Sequence, residues 1–135
     1  MKMSYLAPVA ALITVASAMA AEDYDGSKVM TCPAIEGHDC LPGQAACKPL
    51  KPEAGKPLEL KIDVASKVVQ TPFRTDKLPI GSVGKNTKSL ILQGTSLEMV
   101  WNATVHRTTG RLTLTIADRE GAYVIFGQCK LSGAK

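Results

Sequence analysis

Leu97 to Ile116 reads LEMVWNATVHRTTGRLTLTI, and the way this stretch folds back on itself decides the architecture. Leu97, Met99, Trp101, Ala103 and Val105 alternate with Glu98, Val100, Asn102, Thr104 and His106. Leu112, Leu114 and Ile116 alternate with Arg111, Thr113 and Thr115. A period of two marks a strand with one face buried. A four-residue loop, Arg107-Thr108-Thr109-Gly110, sets His106 opposite Arg111, Val105 opposite Leu112, Ala103 opposite Leu114 and Trp101 opposite Ile116. A three-residue loop would instead pair Val105 with Thr113 and oppose apolar to polar along the whole ribbon. Because a slip of one residue moves every apolar side chain to the wrong face, the four-residue loop is expected. Gly110 then supplies the positive φ that closes it.

Outward from this hairpin the pattern stays β. Asp118-Arg119-Glu120-Gly121 reads as a second turn into Ala122 to Cys129. That segment is apolar on both sides, Tyr123 and Ile125 on one and Val124 and Phe126 on the other, so it is expected to be a central or doubly covered strand. Upstream, Leu58, Leu60, Ile62 and Val64 alternate with Glu59, Lys61 and Asp63. Asp63 to Lys67 reads as a turn into a short strand at Val68-Val69-Gln70. Pro72, Pro79, Gly81 and Gly84 break up residues 71 to 87, where 77 to 82 form a candidate short strand. Ser89 to Gln93 is a strand expected to end at Gly94. No segment after residue 20 reads as a long helix. The expected fold is mainly β: a small antiparallel β-barrel or sandwich of six to eight strands.

The beginning of the chain sets the redox context. Lys2, the apolar run Leu6 to Val15 and the small residues Ala18-Met19-Ala20 have the layout of a secretory signal with an A-x-A cleavage site, so residues 1–20 are expected to be removed. Taking twenty residues from 135 leaves 115, enough for one modest domain. Sixteen Lys and Arg face twelve Asp and Glu; losing Lys2 leaves fifteen against twelve, or +3. These charges are interspersed and few aromatics accompany them, which speaks against nucleic-acid binding. No second apolar stretch approaches membrane-spanning length, so the mature chain is expected to lack a membrane span.

All four cysteines lie beyond the signal, an even count for an oxidising compartment. Three pairings are open. We favour Cys40–Cys47, where Pro42-Gly43 turns the chain back, with Cys32–Cys129 tying the N-terminal segment to the last strand. A closed loop of that length stabilises by about 4 kcal/mol on the chain-entropy account. Residues 21–56 hold three cysteines and no sustained periodicity, so they are expected to be a disulfide-tied, irregular arm. Residues 57–135 then form the antiparallel β domain, as one folding unit with the arm.

Candidate chemistry is sparse. Cys32, Cys40 and Cys47 with His38 lack the C-x2-C spacing of a zinc knuckle, and exported thiols oxidise, so disulfides are the expected state and no metal site is assigned. No C-x-x-C or C-x-x-C-H motif is present, so neither thiol exchange nor haem attachment is expected. His38, Asp39 and Glu36 cluster without a nucleophile in a recognisable elbow. No catalytic residue and no cofactor is therefore assigned, and an enzyme is not expected. His106, Arg107 and Arg111 stand at the tip of the hairpin, where three donors can meet an anion or a partner's carboxylates, although charge on a turn is also ordinary surface chemistry. Trp101, the single tryptophan, is read as core.

The run Tyr24-Asp25-Gly26-Ser27-Lys28 leading to Cys32, Cys40 and Cys47 is similar to the mature N-terminus of a group of small exported proteobacterial proteins. Leu60-Lys61-Ile62-Asp63, Leu92-Gln93-Gly94, the Trp101 strand with Thr109-Gly110, and Phe126-Gly127-Gln128-Cys129 resemble the same group. The resemblance implies a periplasmic or secreted β protein and no catalytic residues. The function expected is a non-enzymatic binding or interaction module with a periplasmic or extracellular partner. The alternative is a small-ligand carrier of calycin-like barrel type, although small barrels fill their interiors with side chains. Non-reducing peptide mapping is expected to recover Cys40 with Cys47; either of them linked to Cys129 overturns this pairing.

Overall fold

The computed structural model describes residues 21–51, 54–55, 58–72, 75 and 77–133. The proposed signal, residues 1–20, lies outside the described residues. Eleven strands and no helix make up the described chain: β1 Met30–Cys40, β2 Lys48–Pro49, β3 Glu59–Asp63, β4 Val68–Gln70, β5 Leu78–Pro79, β6 Ser82–Lys85, β7 Ser89–Ser96, β8 Met99–His106, β9 Arg111–Ala117, β10 Ala122–Gln128 and β11 Lys130–Leu131. Three of them are two-residue pieces. They form one antiparallel sheet in the order β5-β4-β3-β1-β10-β9-β8-β7-β6, with β2 and β11 also pairing with β1, curled into a half-barrel. The ends of the curl meet at two residues. Ile80 N–H donates to Lys67 O at 2.9 Å and Gly81 N–H donates to Gln93 O at 2.9 Å, so this link holds both the β4 side and the β7 side.

The hairpin has the expected register: Trp101 pairs with Ile116, Ala103 with Leu114 and Val105 with Leu112. Gly110 closes it at φ 71°. Its N–H donates to His106 O, and its carbonyl accepts from Cys129 N–H, each at 2.8 Å. A side chain at Gly110 would also strike the Tyr24 ring at 2.7 Å. β10 is central in the sheet, between β1 and β9, but only one face is well covered: Ile125 is buried while Phe126 is 40% exposed.

Four details differ from the sequence reading. Residues 21–56 are not irregular throughout, because β1 is the longest strand of the fold. Its pattern hides this. Met30 and Cys32 are buried, then Ile35 bulges out at 73% exposure and shifts the register, so no single period runs through it. Leu97 does not belong to a strand. Ser96 pairs with Met99, leaving Leu97-Glu98 as a two-residue turn with Leu97 at φ 54° and 83% exposed. β7 does not stop at Gly94 but runs on to Ser96. Leu58 precedes β3 and is 45% exposed, so only Leu60 and Ile62 of that alternation are fully buried.

The inward positions fill the curl. Leu90, Leu92, Ala103, Val105, Leu114 and Ile125 from β7 to β10 have no exposed surface, and neither do Leu60, Ile62, Val69 and Leu78 from the other arm of the sheet. At roughly 2 kcal/mol for each large aliphatic side chain, this burial is the main stabilising contribution. Gly94 sits where the two arms touch. A Cβ there would lie 2.1 Å from Pro79 O and 2.6 Å from Trp101 Nε1. Gly94→Ala is therefore expected to destabilise the fold by about 3 kcal/mol, read from urea unfolding at pH 7. Amide exchange is expected to be slow over 99–105 and 111–117 and fast at Leu97.

Candidate functional site

The outward faces of β7 to β10 form a regular lattice. One cross-strand row is Ile91, Thr104, Thr113 and Phe126. The next is Gln93, Asn102, Thr115 and Val124. The third is Thr95, Val100, Ala117 and Ala122. None of the twelve is buried and none is ionisable. Surfaces of soluble domains carry about 25–35% charged residues, so three or four charges are expected on such an area. Charges instead surround it. His106 and Arg111 lie in the fourth row, with Ser89 and Gln128, at one end. Glu98 and Arg119, paired at 3.2 Å, lie on the turns at the other end. On the β1 side, Glu36 and His38 are joined at 2.6 Å, and the His38 ring stands edge-on to Phe126 at 6.5 Å between centroids.

A groove of about 440 Å³ opens on this face between Gly81-Ser82 and β9. Gln93, Thr95, Asn102 and Thr115 line it with amide and hydroxyl groups, and Val100 and Ala117 provide apolar contact. Trp101 borders it from the inner side, where its Nε1 is buried without a hydrogen-bond partner among the described residues. The hydroxyls are partly tied to their neighbours: Thr104 donates to Asn102 Oδ1 at 3.3 Å and Thr115 donates to Asn102 O at 3.5 Å.

His106, Arg107 and Arg111 do not stand together as three free donors. Arg107 Nε donates to Asp23 Oδ1 at 2.9 Å, Nη2 donates to Asp23 Oδ2, and Nη1 donates to Asn86 O at 2.9 Å. Its backbone continues the clamp. Tyr24 N–H donates to Arg107 O at 2.9 Å, and Arg107 N–H donates to Lys88 O at 2.8 Å. Arg107 thus ties the N-terminal segment and the β6–β7 turn to the hairpin tip. His106 accepts from Thr109 N–H through Nδ1 at 3.3 Å. His106 and Arg111 are both exposed, on the rim of the uncharged face. The spacing of the sequence put the three in one loop; it carried no sign that Asp23, 84 residues away, would engage one of them.

The four cysteines form Cys32–Cys129 and Cys40–Cys47, with none free. Such bonds belong to an oxidising compartment. Residues 41–46 between Cys40 and Cys47 are all exposed, while Cys32 and Cys129 are in the core. Among the described residues, no three His, Cys, Asp or Glu side chains are placed to share a metal, and no helix is long and apolar enough to cross a membrane. Comparison with protein families, with curated proteins and with solved structures finds no match for this chain.

Electrostatics concentrates at the N-terminal clamp. The Arg107 guanidinium holds the Asp23 carboxyl below the ordinary carboxylate range. Ser27 holds Asp25 still lower, at about 2 against an ordinary 3.8, through its hydroxyl and N–H, with Lys85 adding to the effect. A carboxylate whose pKa is depressed by folding stabilises the protein above its unfolded pKa, and that contribution is lost as pH falls through the folded value. The urea midpoint is therefore expected to be flat above pH ~5 and to fall between about pH 4 and 2. Arg107→Gln is expected to lower the plateau and to flatten that fall.

Proposed function

We propose that this protein is an exported, disulfide-stabilised, non-enzymatic binding module that works in the periplasm or outside the cell, and that it binds through the outward face of β7 to β10. The observation that carries this reading is the absence of charge from three consecutive rows, in a chain with 21% charged residues. Recognition surfaces keep charge out of their centres, where desolvation would be costly, and place it at the rim. The interior supports binding on the outside rather than carriage within, because the inward positions are occupied by closely packed aliphatic side chains. The layout of residues 1–20 and the two disulfides support export.

The test places charge in the centre of the face. Val100→Lys with Thr115→Lys alters two exposed side chains, so the thermal midpoint is expected to stay near that of the wild type. Immobilised wild-type protein is expected to retain a component of the cell-envelope fraction, and the double variant to retain at least tenfold less. Lys88→Ala, off the face, is expected to behave as the wild type. Equal retention by all three proteins sinks the proposal.

A further inference from the structure

The groove on the uncharged face has a chemistry of its own. Gln93, Asn102, Thr95 and Thr115 are neutral, and each amide or hydroxyl side chain both donates and accepts. That set matches a ligand whose groups also do both without charge, which is the chemistry of a sugar hydroxyl. Val100 and Ala117 lie among them and suit the C–H face of a pyranose ring. The volume of about 440 Å³ falls within the range of small-molecule sites, about 300–1,000 Å³. No ionisable side chain is among the groove's lining residues, so an anionic or cationic ligand would be desolvated there without a partner.

Trp101 lies beneath the groove on the inner face of the sheet, 3% exposed, with its Nε1 close to Gly94 rather than open to the groove. The neutral patch is small for a protein partner. Three inter-strand spacings by two row spacings give a neutral patch of about 14 by 14 Å, or roughly 200 Å² in plan. A stable protein–protein interface buries about 800 Å² on each partner, so this patch alone does not support a second copy of the chain.

From these observations we infer that the groove lined by Gln93, Thr95, Val100, Asn102, Thr115 and Ala117 is a binding site for a neutral oligosaccharide. The inference rests on the proposed role of the β7–β10 face and adds the ligand class. Because Trp101 is the only tryptophan, its emission reports on the site. The disulfide-bonded protein is titrated with chitotetraose, with maltotetraose and with an anionic tetragalacturonate, following fluorescence and heat. At least one neutral tetrasaccharide is expected to give saturable binding, with the anionic one at least tenfold weaker. Gln93→Ala and Asn102→Ala are each expected to weaken binding about fivefold, the effect of one net hydrogen bond, with unchanged thermal midpoints. Failure of both neutral sugars to bind at ~10 mM, a weaker limit than millimolar affinity, overturns the inference. Stronger binding of the anionic sugar overturns it too, as does undiminished binding by both alanine variants. If neither neutral sugar binds but the Val100→Lys, Thr115→Lys protein still loses retention of an envelope component, the sugar inference falls and the binding face stands. If that retention is also unaffected, both fall.

Discussion

Strand β1 pairs with four other strands, and it can do so because it changes direction at Ile35. Its first part, Met30 to Pro33, lies between β3 and β11; its second part, Ala34 to Cys40, lies between β10 and β2. The bulge between Ala34 and Glu36 shifts the register by one residue and bends the strand, as extra residues in antiparallel pairs do. One strand therefore serves both arms of the curl. Without it the β3–β5 arm and the β6–β10 arm would be separate small sheets, each with an open apolar face. Cys32 and Cys129 join at this junction, and both are in the core. The Cys129 N–H donates to Gly110 O at the hairpin tip, one step beyond the pairing of Gln128 with Arg111. The staple, the bulge and the hairpin loop are thus parts of one junction.

The same junction positions the face we assign to binding. With β1 held on one side of β10 and the hairpin on the other, β7 to β10 form an even lattice whose inward residues are consumed by packing. The outward residues are free of that duty. A soluble domain would ordinarily scatter lysine and glutamate among them. Here Glu36, His38, Glu98, Arg119, His106 and Arg111 lie on the borders, and the centre is threonine, asparagine, glutamine, valine and alanine, with Ile91 and Phe126 in the outer row. Arg107 is withdrawn from the rim by Asp23 and Asn86 and used to hold the N-terminal segment, including the buried Tyr24, against the hairpin tip.

The hairpin was readable because its pairing is local. Alternation marks which side of each strand faces in, and only one loop length aligns the apolar sets. The two disulfides were readable because the count is even and Cys40 and Cys47 are close in the chain. Leu97 was misread because periodicity continues through it, while the two-residue turn is dictated by the pairing of Ser96 with Met99. β1 was misread because its bulge interrupts the period and its partners lie far away in the chain.

The amino-acid order alone determined the β class, the inside and outside of the main strands, the hairpin register and the even count of cysteines available for pairing. Each of these depends on neighbours in the chain or on a count. Only the tertiary structure decided that Met30–Cys40 is the shared strand, that Asp23 occupies Arg107, and that three rows of uncharged side chains come together on one face. Those facts depend on which strands become neighbours. A period of two says which way a side chain points, but nothing in it says which strand will lie beside it.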